Sequence, residues 1–341
     1  MSRSRWIIVA LSFAAMLAIS GWIVWGAMSK HGGLPALPLW SHALALGFVL
    51  LEAASRSVKI QWGAHALRIP LSYGAAVRTS LGGDFASCLT PSRSGAEPAR
   101  FLVLAQTRMP TAHILLVLFL ELMMEAGTFI VVGIVAWLVL GGSAAMLGFL
   151  TTILVGYVAL LLGIAAFGLF LAQRNASGPP PNWVRSFGLH AGHWRGIQRS
   201  LRHLRMSVGA FRHAKPGLIA AAFGASLIHV SAKLAVLPVI VWSVDATAKL
   251  SGLVLWPLVL IYGASVAPAP GGGGAIEFGF IKAFGGVLAP PVLAASLVWW
   301  RFYTFYLYII LGALAGGTTV LRALRSDRDA KAAQAHPKTA H

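Results

Sequence analysis

The sequence predicts an all-α polytopic membrane protein with about six spanning helices and two re-entrant helical hairpins broken by Pro and Gly. Three observations predict this class. Of the 341 residues, 57% are hydrophobic and only 11% are charged, whereas soluble domains carry about 25% charged residues. Long apolar stretches recur along the whole chain, and two further apolar segments are interrupted by Pro and Gly. Together these features argue against a soluble enzyme.

The apolar stretches predict the spanning helices in order. Each is near or above the ~20 residues that an α-helix needs to cross a bilayer. They lie at about 6–28, 38–55, 111–140, 144–172, 217–243 and 289–321. Backbone inside lipid must satisfy its own hydrogen bonds, so each stretch is expected to be helical. The first is longer than the ~7–15-residue core of a signal peptide, and we expect a retained helix.

The distribution of positive charge predicts the orientation. A net charge of +18 on a soluble protein would suggest nucleic-acid binding. Here the loop 173–216 holds eight Lys and Arg residues and no acid. The positive-inside rule places this loop and both termini in the cytoplasm, with one domain over 1–321 in the inner membrane and a polar tail over 322–341. The expected partner of these basic segments is an anionic lipid surface, not nucleic acid.

Two broken segments complete the predicted topology. The orientations of the spanning stretches agree only if 71–107 and 253–288 each enter and leave the membrane on one side, the first from the cytoplasm and the second from outside. Non-helical backbone at membrane depth survives only where protein or a water-filled cavity covers it. Paired Gly/Pro-interrupted segments in two halves of a chain are a sequence signature of a transporter-type binding site.

The two broken segments resemble each other. Pro91-x3-Gly95-x-Glu97 runs parallel to Pro270-x3-Gly274-x2-Glu277. Together with the opposite predicted orientations, this indicates an inverted repeat. The alternative is chance similarity, because Gly/Pro-rich segments of low complexity produce short matches.

The same segments carry a family resemblance. Pro91-Ser-Arg93-Ser-Gly95-Ala-Glu97-Pro-Ala-Arg100 resembles the P-x-R-x-G-x-[DE]-x-x-R block of the lysylphosphatidylglycerol synthase transmembrane, or flippase-like, family. Pro268-Ala-Pro270 followed by Gly271 to Gly274 and Glu277 is similar to its second block, P-x-P-G-G-x-G-x-x-E. A third feature, E-R-x-x-D, appears only as Glu121-Leu-Met-Met-Glu125, without the Arg.

The resemblance implies a lipid flippase. In longer relatives a separate soluble domain makes aminoacylated phosphatidylglycerol from charged tRNA. About 20 polar residues follow the last predicted helix here, so we expect no synthase activity, and we assign no catalytic residue, cofactor or metal.

The candidate substrate-binding residues lie in the two blocks. Cationic groups and helix N-terminal amides favour a phosphate, whereas carboxylates favour polar or cationic headgroup parts. The candidates are Arg93, Glu97, Arg100, Gly271, Gly272, Gly274 and Glu277. Two structural alternatives remain open. Glu97 and Arg100, at i,i+3, could form an ion pair, and Glu277 could cap the helix that follows the glycines. If Glu277 is functional, it could face a substrate amine or couple to protons.

A second set of ionisable residues lies inside apolar stretches. Burying a lone charge is costly, so carboxylate–cation pairing across the bundle is expected. The set comprises Glu121, Glu125, Lys233 and Arg301. Its members could form structural pairs or a proton relay, and the sequence does not tell which acid meets which base.

Two function hypotheses follow. The first is a protein that moves, or helps to move, an anionic-headgroup lipid across the bilayer, either a phospholipid or a polyprenyl-type lipid. The second is an accessory membrane subunit of a lipid- or polyprenyl-lipid-modifying pathway, docking an enzyme on the loop 173–216 or forming a homo-oligomer. A membrane enzyme is a weaker third hypothesis, since no donor-binding motif is visible.

Overall fold

The computed structural model describes residues 34–90, 92–141, 144–173, 213–263 and 272–317, with six single positions between 14 and 26. These residues are helical or lie in turns and connections, and they include no strand. The predicted all-α class is therefore confirmed. The predictions for the first apolar stretch, most of the basic loop, Pro91, Pro268, Pro270, Gly271 and the polar tail fall outside the described residues.

Two groups of helices share one order: long, short, short, long. The first group is α1 (Leu39–Ala66), α2 (Tyr73–Leu89), α3 (Ala96–Ala105) and α4 (Thr111–Leu140), and α5 (Ala144–Gln173) follows it. The second group is α6 (Pro216–Trp242), α7 (Leu250–Gly263), α8 (Ala275–Phe284) and α9 (Pro290–Arg301). Helix α9 continues through two π-helical turns, Phe302–Tyr306 and Ala313–Gly317, on either side of Leu307–Gly312.

Local signals explain where several helices begin and end. The Ser72 hydroxyl accepts a hydrogen bond from the amide of Ala75 at the start of α2. Pro216 and Pro290 stand in the first turns of α6 and α9, where a missing amide hydrogen costs nothing. Gly141, at a φ of 69°, ends α4 in the left-handed conformation that glycine adopts easily.

Three helices among the described residues are long and apolar enough to cross a membrane: Thr111–Leu140, Pro216–Trp242 and Pro290–Ala315. Helix α1 is similarly long, at 28 residues, but its apolar sequence is interrupted by Glu52, Arg56 and Lys59. The predicted apolar stretch 38–55 contains Glu52 and ends just before Arg56. The helix continues to Ala66 because the charged side chains are buried against other helices rather than placed in lipid.

The two broken segments form helical hairpins. Helices α2 and α3 pack on each other and make hairpin 1, and helices α7 and α8 make hairpin 2. Hairpin 1 packs against the last helix, where Gly312 allows close approach. A methyl group at Gly312 would lie 2.5 Å from the carbonyl oxygen of Leu81.

Contacts along the bundle give the helix directions. The amide of Lys215, just before α6, donates to the carbonyl of Ala66 at the end of α1, so these two helices are antiparallel. Helix α4 also runs against α1, since Gly63 faces Leu120 and Lys59, earlier in α1, faces Glu125, later in α4.

Helix α9 runs along α1 in the same direction. His42 is hydrogen-bonded to Tyr303, and Glu52 is hydrogen-bonded to Tyr308. Residue numbers therefore rise in the same direction along both helices. Corresponding helices of the two groups therefore run in opposite directions, which is the arrangement of an inverted repeat.

Candidate functional site

A small cavity lies where the two hairpins meet inside the bundle, and we call it the tip cavity. Its volume is about 30 Å³. Hairpin 1 contributes Arg93 and the end of α2, and hairpin 2 contributes Ile261 and Ile276. Lys233 of α6 and Arg301 of α9 close the sides. The cavity thus joins both broken segments, which are more than 160 residues apart in the chain.

The tip of hairpin 1 is a tight turn that carries Arg93. The Thr90 hydroxyl accepts a hydrogen bond from the Gly95 amide at 2.8 Å and donates to the carbonyl of Ala86. Ser92 and Arg93 are both left-handed, with φ values of 51° and 55°, a conformation that side-chain-bearing residues rarely adopt. Helix α3 begins directly afterwards at Ala96. The turn therefore holds the Arg93 side chain at the cavity.

The corresponding end of hairpin 2 is organised by Glu277. Its Oε2 atom accepts a hydrogen bond from the Gly274 amide at 2.7 Å, which caps α8. Gly274 has a φ of 81°, a conformation available mainly to glycine. The Oε1 atom of Glu277 lies 2.9 Å from Nε of Arg301, whose guanidinium also stacks over the Phe305 ring. The carboxylate thus fixes both the helix start and a cavity-lining cation.

The three cations of the tip cavity differ in their partners. Arg301 lies beside Glu277, and Lys233 Nζ lies 3.4 Å from Oε1 of Glu52. Within the described part of the chain, no carboxylate lies within 4.0 Å of the Arg93 guanidinium. The positive charge of Arg93 therefore favours an anionic ligand in the cavity.

A larger group of ionisable side chains, which we call the charge cluster, lies between α1, hairpin 1, α4, α6 and α9. It consists of Glu52, Arg56, Lys59, Asp84, Glu97, Arg100, Glu121, Glu125, His229, Lys233 and Tyr308. Such a group is stable in a bundle only when its charges are paired and hydrogen-bonded.

Four short contacts join α1, α4 and hairpin 1 within the cluster. Arg56 Nη1 lies 2.6 Å from Oδ1 of Asp84. Arg100 Nη1 lies 2.7 Å from Oε2 of Glu121. Lys59 Nζ lies between the two acids of α4, at 3.2 Å from Glu121 and 3.6 Å from Glu125.

Glu52 occupies the other side of the cluster, where α1, α6 and α9 meet. Its side chain is 0% exposed. Its Oε1 atom faces His229 Nδ1 at 3.1 Å and Lys233 Nζ at 3.4 Å. The Tyr308 hydroxyl donates to Oε2. Lys233 belongs to both the charge cluster and the tip cavity.

The structure divides the predicted site residues between these two places. Arg93 lines the tip cavity, and Glu277 supports it through Arg301. Glu97 and Arg100 form an ion pair of 2.8 Å within the charge cluster. Gly272 and Gly274 lie in the turn before α8, and Gly271 lies outside the described residues.

The second predicted set is also divided. Glu121, Glu125 and Lys233 belong to the charge cluster, whereas Arg301 pairs with Glu277 beside the tip cavity. Across the described residues, no group of three or more His, Cys, Asp or Glu side chains is arranged to hold a metal ion.

Most members of the charge cluster are not predictable as site residues from the sequence. Arg56 and Lys59 lay beyond the predicted apolar stretch, and Tyr308 is indistinguishable by type from other aromatic residues of α9. A usable signal was present in α1, because Glu52, Arg56 and Lys59 follow i, i+4, i+7 spacing on one helix face. A polar stripe at that spacing in an apolar helix predicts a buried partner.

Comparison with known families supports this architecture. The family model described as lysylphosphatidylglycerol synthase TM region matches residues 7–312. The match covers both hairpins, the charge cluster and the tip cavity. No curated protein matches the chain.

Proposed function

Since this chain belongs to the lysylphosphatidylglycerol synthase transmembrane region family, we propose that it moves a lipid with an anionic headgroup across the membrane. In this proposal the tip cavity binds the headgroup phosphate. The family and the apolar helices make the chain an integral membrane protein related to lipid modification or translocation. The choice of an anionic lipid and of transport is our inference from the site.

One observation carries the proposal: Arg93 is held at the meeting point of both hairpins without a carboxylate partner among the described residues. An arginine can bind a phosphate through two parallel hydrogen bonds. Lys233 and Arg301 add positive charge from two other helices. Ionisable groups inside membrane segments face the bundle interior or a water-filled cavity and mark substrate or ion pathways.

The size of the cavity indicates how transport would occur. A volume of about 30 Å³ accepts little more than two water molecules, so a whole lipid headgroup does not fit the closed arrangement. The hairpins must therefore separate to admit the phosphate. Two inverted groups that move against each other around a central site would expose the site alternately to either side.

The proposal has a direct test in liposomes. We expect the reconstituted protein to accelerate the transbilayer movement of headgroup-labelled phosphatidylglycerol and to act much less on phosphatidylcholine, whose zwitterionic headgroup carries a quaternary ammonium. Quenching of the outer-leaflet label measures the rate. Equal rates for protein-containing and protein-free liposomes would contradict the proposal. Co-purification of a stoichiometric lipid-modifying enzyme, without lipid movement, would instead favour the accessory role.

The orientation is part of the same proposal. Lys215, which borders the basic loop, contacts the end of α1 at Ala66. If that loop is cytoplasmic, α4 ends outside the cell, and both termini are cytoplasmic in the inner membrane. We expect a cysteine introduced as Ser143→Cys, in a Cys88→Ala background, to react with a membrane-impermeant maleimide in intact cells. Reaction only after permeabilisation would reverse the orientation.

A further inference from the structure

We propose that Glu52 is a proton-binding site and that headgroup binding in the tip cavity is linked to its protonation through Lys233. The inference rests on the proposed function and deepens it, because it supplies a way in which a proton gradient could drive lipid movement.

Lys233 connects the two places. It lines the tip cavity, its Nζ atom lies 3.4 Å from Glu52, and its side chain is 12% exposed. The ammonium also lies 5.5 Å from the centre of the Tyr308 ring. A lysine has a flexible four-carbon stem and three donors, so its charge can turn from one acceptor to another. A phosphate in the cavity would compete with Glu52 for this ammonium.

The charge balance shows what that competition would cost. The cluster contains five carboxylates, Glu52, Asp84, Glu97, Glu121 and Glu125, but four permanent cations, Arg56, Lys59, Arg100 and Lys233. With Arg93, Arg301 and Glu277 beside the tip cavity included, these described residues comprise six cations and six carboxylates in the closed arrangement. A monoanionic headgroup that engages Lys233 would add one negative charge. A proton from solvent would restore the balance.

Glu52 is the carboxylate that loses most when Lys233 turns away. His229 and Lys233 of α6 lie beside it, and Tyr308 of α9 donates a hydrogen bond to it. On its own helix the nearest cation is Arg56, at 3.9 Å, and that guanidinium lies closer to Asp84 of hairpin 1, at 2.6 Å.

The acids of α4 keep their own cations. Glu121 lies beside Arg100 and Lys59, and Glu125 lies beside Lys59. Without Lys233, Glu52 would keep Arg56, at 3.9 Å, as its one permanent cation within 4.0 Å among the described residues, and that guanidinium lies closer to Asp84. A buried carboxylate without a close cation is costly, and binding a proton would remove its charge. A monoanionic headgroup and a proton would then bind together as a neutral pair.

The experiment measures proton uptake during headgroup binding. Dioctanoyl-phosphatidylglycerol is titrated into the purified full-length protein in detergent, by calorimetry in buffers of different ionisation enthalpy. We expect uptake of about one proton per lipid bound, and about tenfold weaker binding for each unit of rising pH once the free protein has lost that proton. The wild-type measurement requires no variant to fold.

The variant Glu52→Gln carries a permanent neutral analogue of the protonated acid. We expect it to bind the same lipid without proton uptake and without the dependence on pH, whereas Asp245→Asn, in the loop between α6 and α7, retains both. Glycerophosphoglycerol, the same headgroup without acyl chains, distinguishes recognition of the phosphodiester from recognition of the whole lipid, and proton uptake with either ligand supports the linkage.

Each outcome separates the two proposals. Lipid binding by the wild type without proton uptake overturns the role of Glu52 and leaves the proposed function intact. Proton uptake that persists in Glu52→Gln assigns the proton to another group and also overturns it. Failure of the wild type to bind either ligand overturns both proposals.

Discussion

Replacing Arg93 by alanine is expected to weaken phosphatidylglycerol binding at least about 30-fold and to lower the rate of transbilayer movement to a similar extent. The loss of one partner from a buried, hydrogen-bonded charge pair costs about 2–5 kcal/mol, and about 2 kcal/mol corresponds to that factor. The binding affinity and transport rate of Arg93→Lys should lie between those of the wild type and Arg93→Ala, because lysine keeps the charge and loses the bidentate geometry. Calorimetry and the liposome assay measure both effects.

The stability of Arg93→Ala should stay close to that of the wild type. Among the described residues Arg93 has no ion-pair partner that its removal would leave unpaired. Arg78, an exposed arginine on the same hairpin, supplies the matched control, and Arg78→Ala should retain wild-type binding and movement. If Arg93→Ala transports phosphatidylglycerol as fast as Arg78→Ala does, the tip cavity is not the headgroup site.

Replacing Lys59 by methionine is expected to cost about 3–5 kcal/mol of unfolding free energy, the largest stability effect we predict. Lys59 is buried between Glu121, at 3.2 Å, and Glu125, at 3.6 Å. Glu121 keeps Arg100, but Glu125 would have no other cation within 4.0 Å in the described part of the chain. Denaturant unfolding of the purified protein in mixed micelles gives the free energy.

Two further variants test the physical cause of that loss. Adding Glu125→Gln to Lys59→Met removes the carboxylate left unpaired, and the double variant should recover part of the lost stability. Lys282→Met, at an exposed lysine of α8, should change the unfolding free energy by less than about 0.5 kcal/mol. A Lys59→Met protein as stable as Lys282→Met would show that the charge cluster does not stabilise the fold.

The helical hairpins were predictable because their signals are local. Proline and glycine interrupt the hydrogen bonds of a helix wherever they stand, so 71–107 and 253–288 could be recognised as broken segments without any partner. The full length of α1 was not predictable in the same way. Its charges end the apolar pattern after residue 55, and only their burial against other helices explains why the helix continues to Ala66.

The pairing of charges depends on positions that the sequence does not relate to each other. Glu97 and Arg100 are three residues apart, and their ion pair could be expected from helix geometry alone. Glu52 and Lys233 are 181 residues apart, and Glu277 in the first turn of α8 pairs with Arg301 at the end of Pro290–Arg301. Even residues of one motif can belong to different sites. Arg93 lines the tip cavity, whereas Glu97 and Arg100 belong to the charge cluster.

The sequence by itself determined the helical membrane class, the two hairpins and the family, because hydropathy, Pro and Gly positions and short motifs act over a few turns of one helix. The tertiary structure decided that both hairpins line one cavity, that Arg93 has no carboxylate partner among the described residues, and that Lys233 faces both Glu52 and the cavity. The physical reason is that charge balance in a low-dielectric bundle is set by which helices pack together, and antiparallel packing brings together residues far apart in the chain.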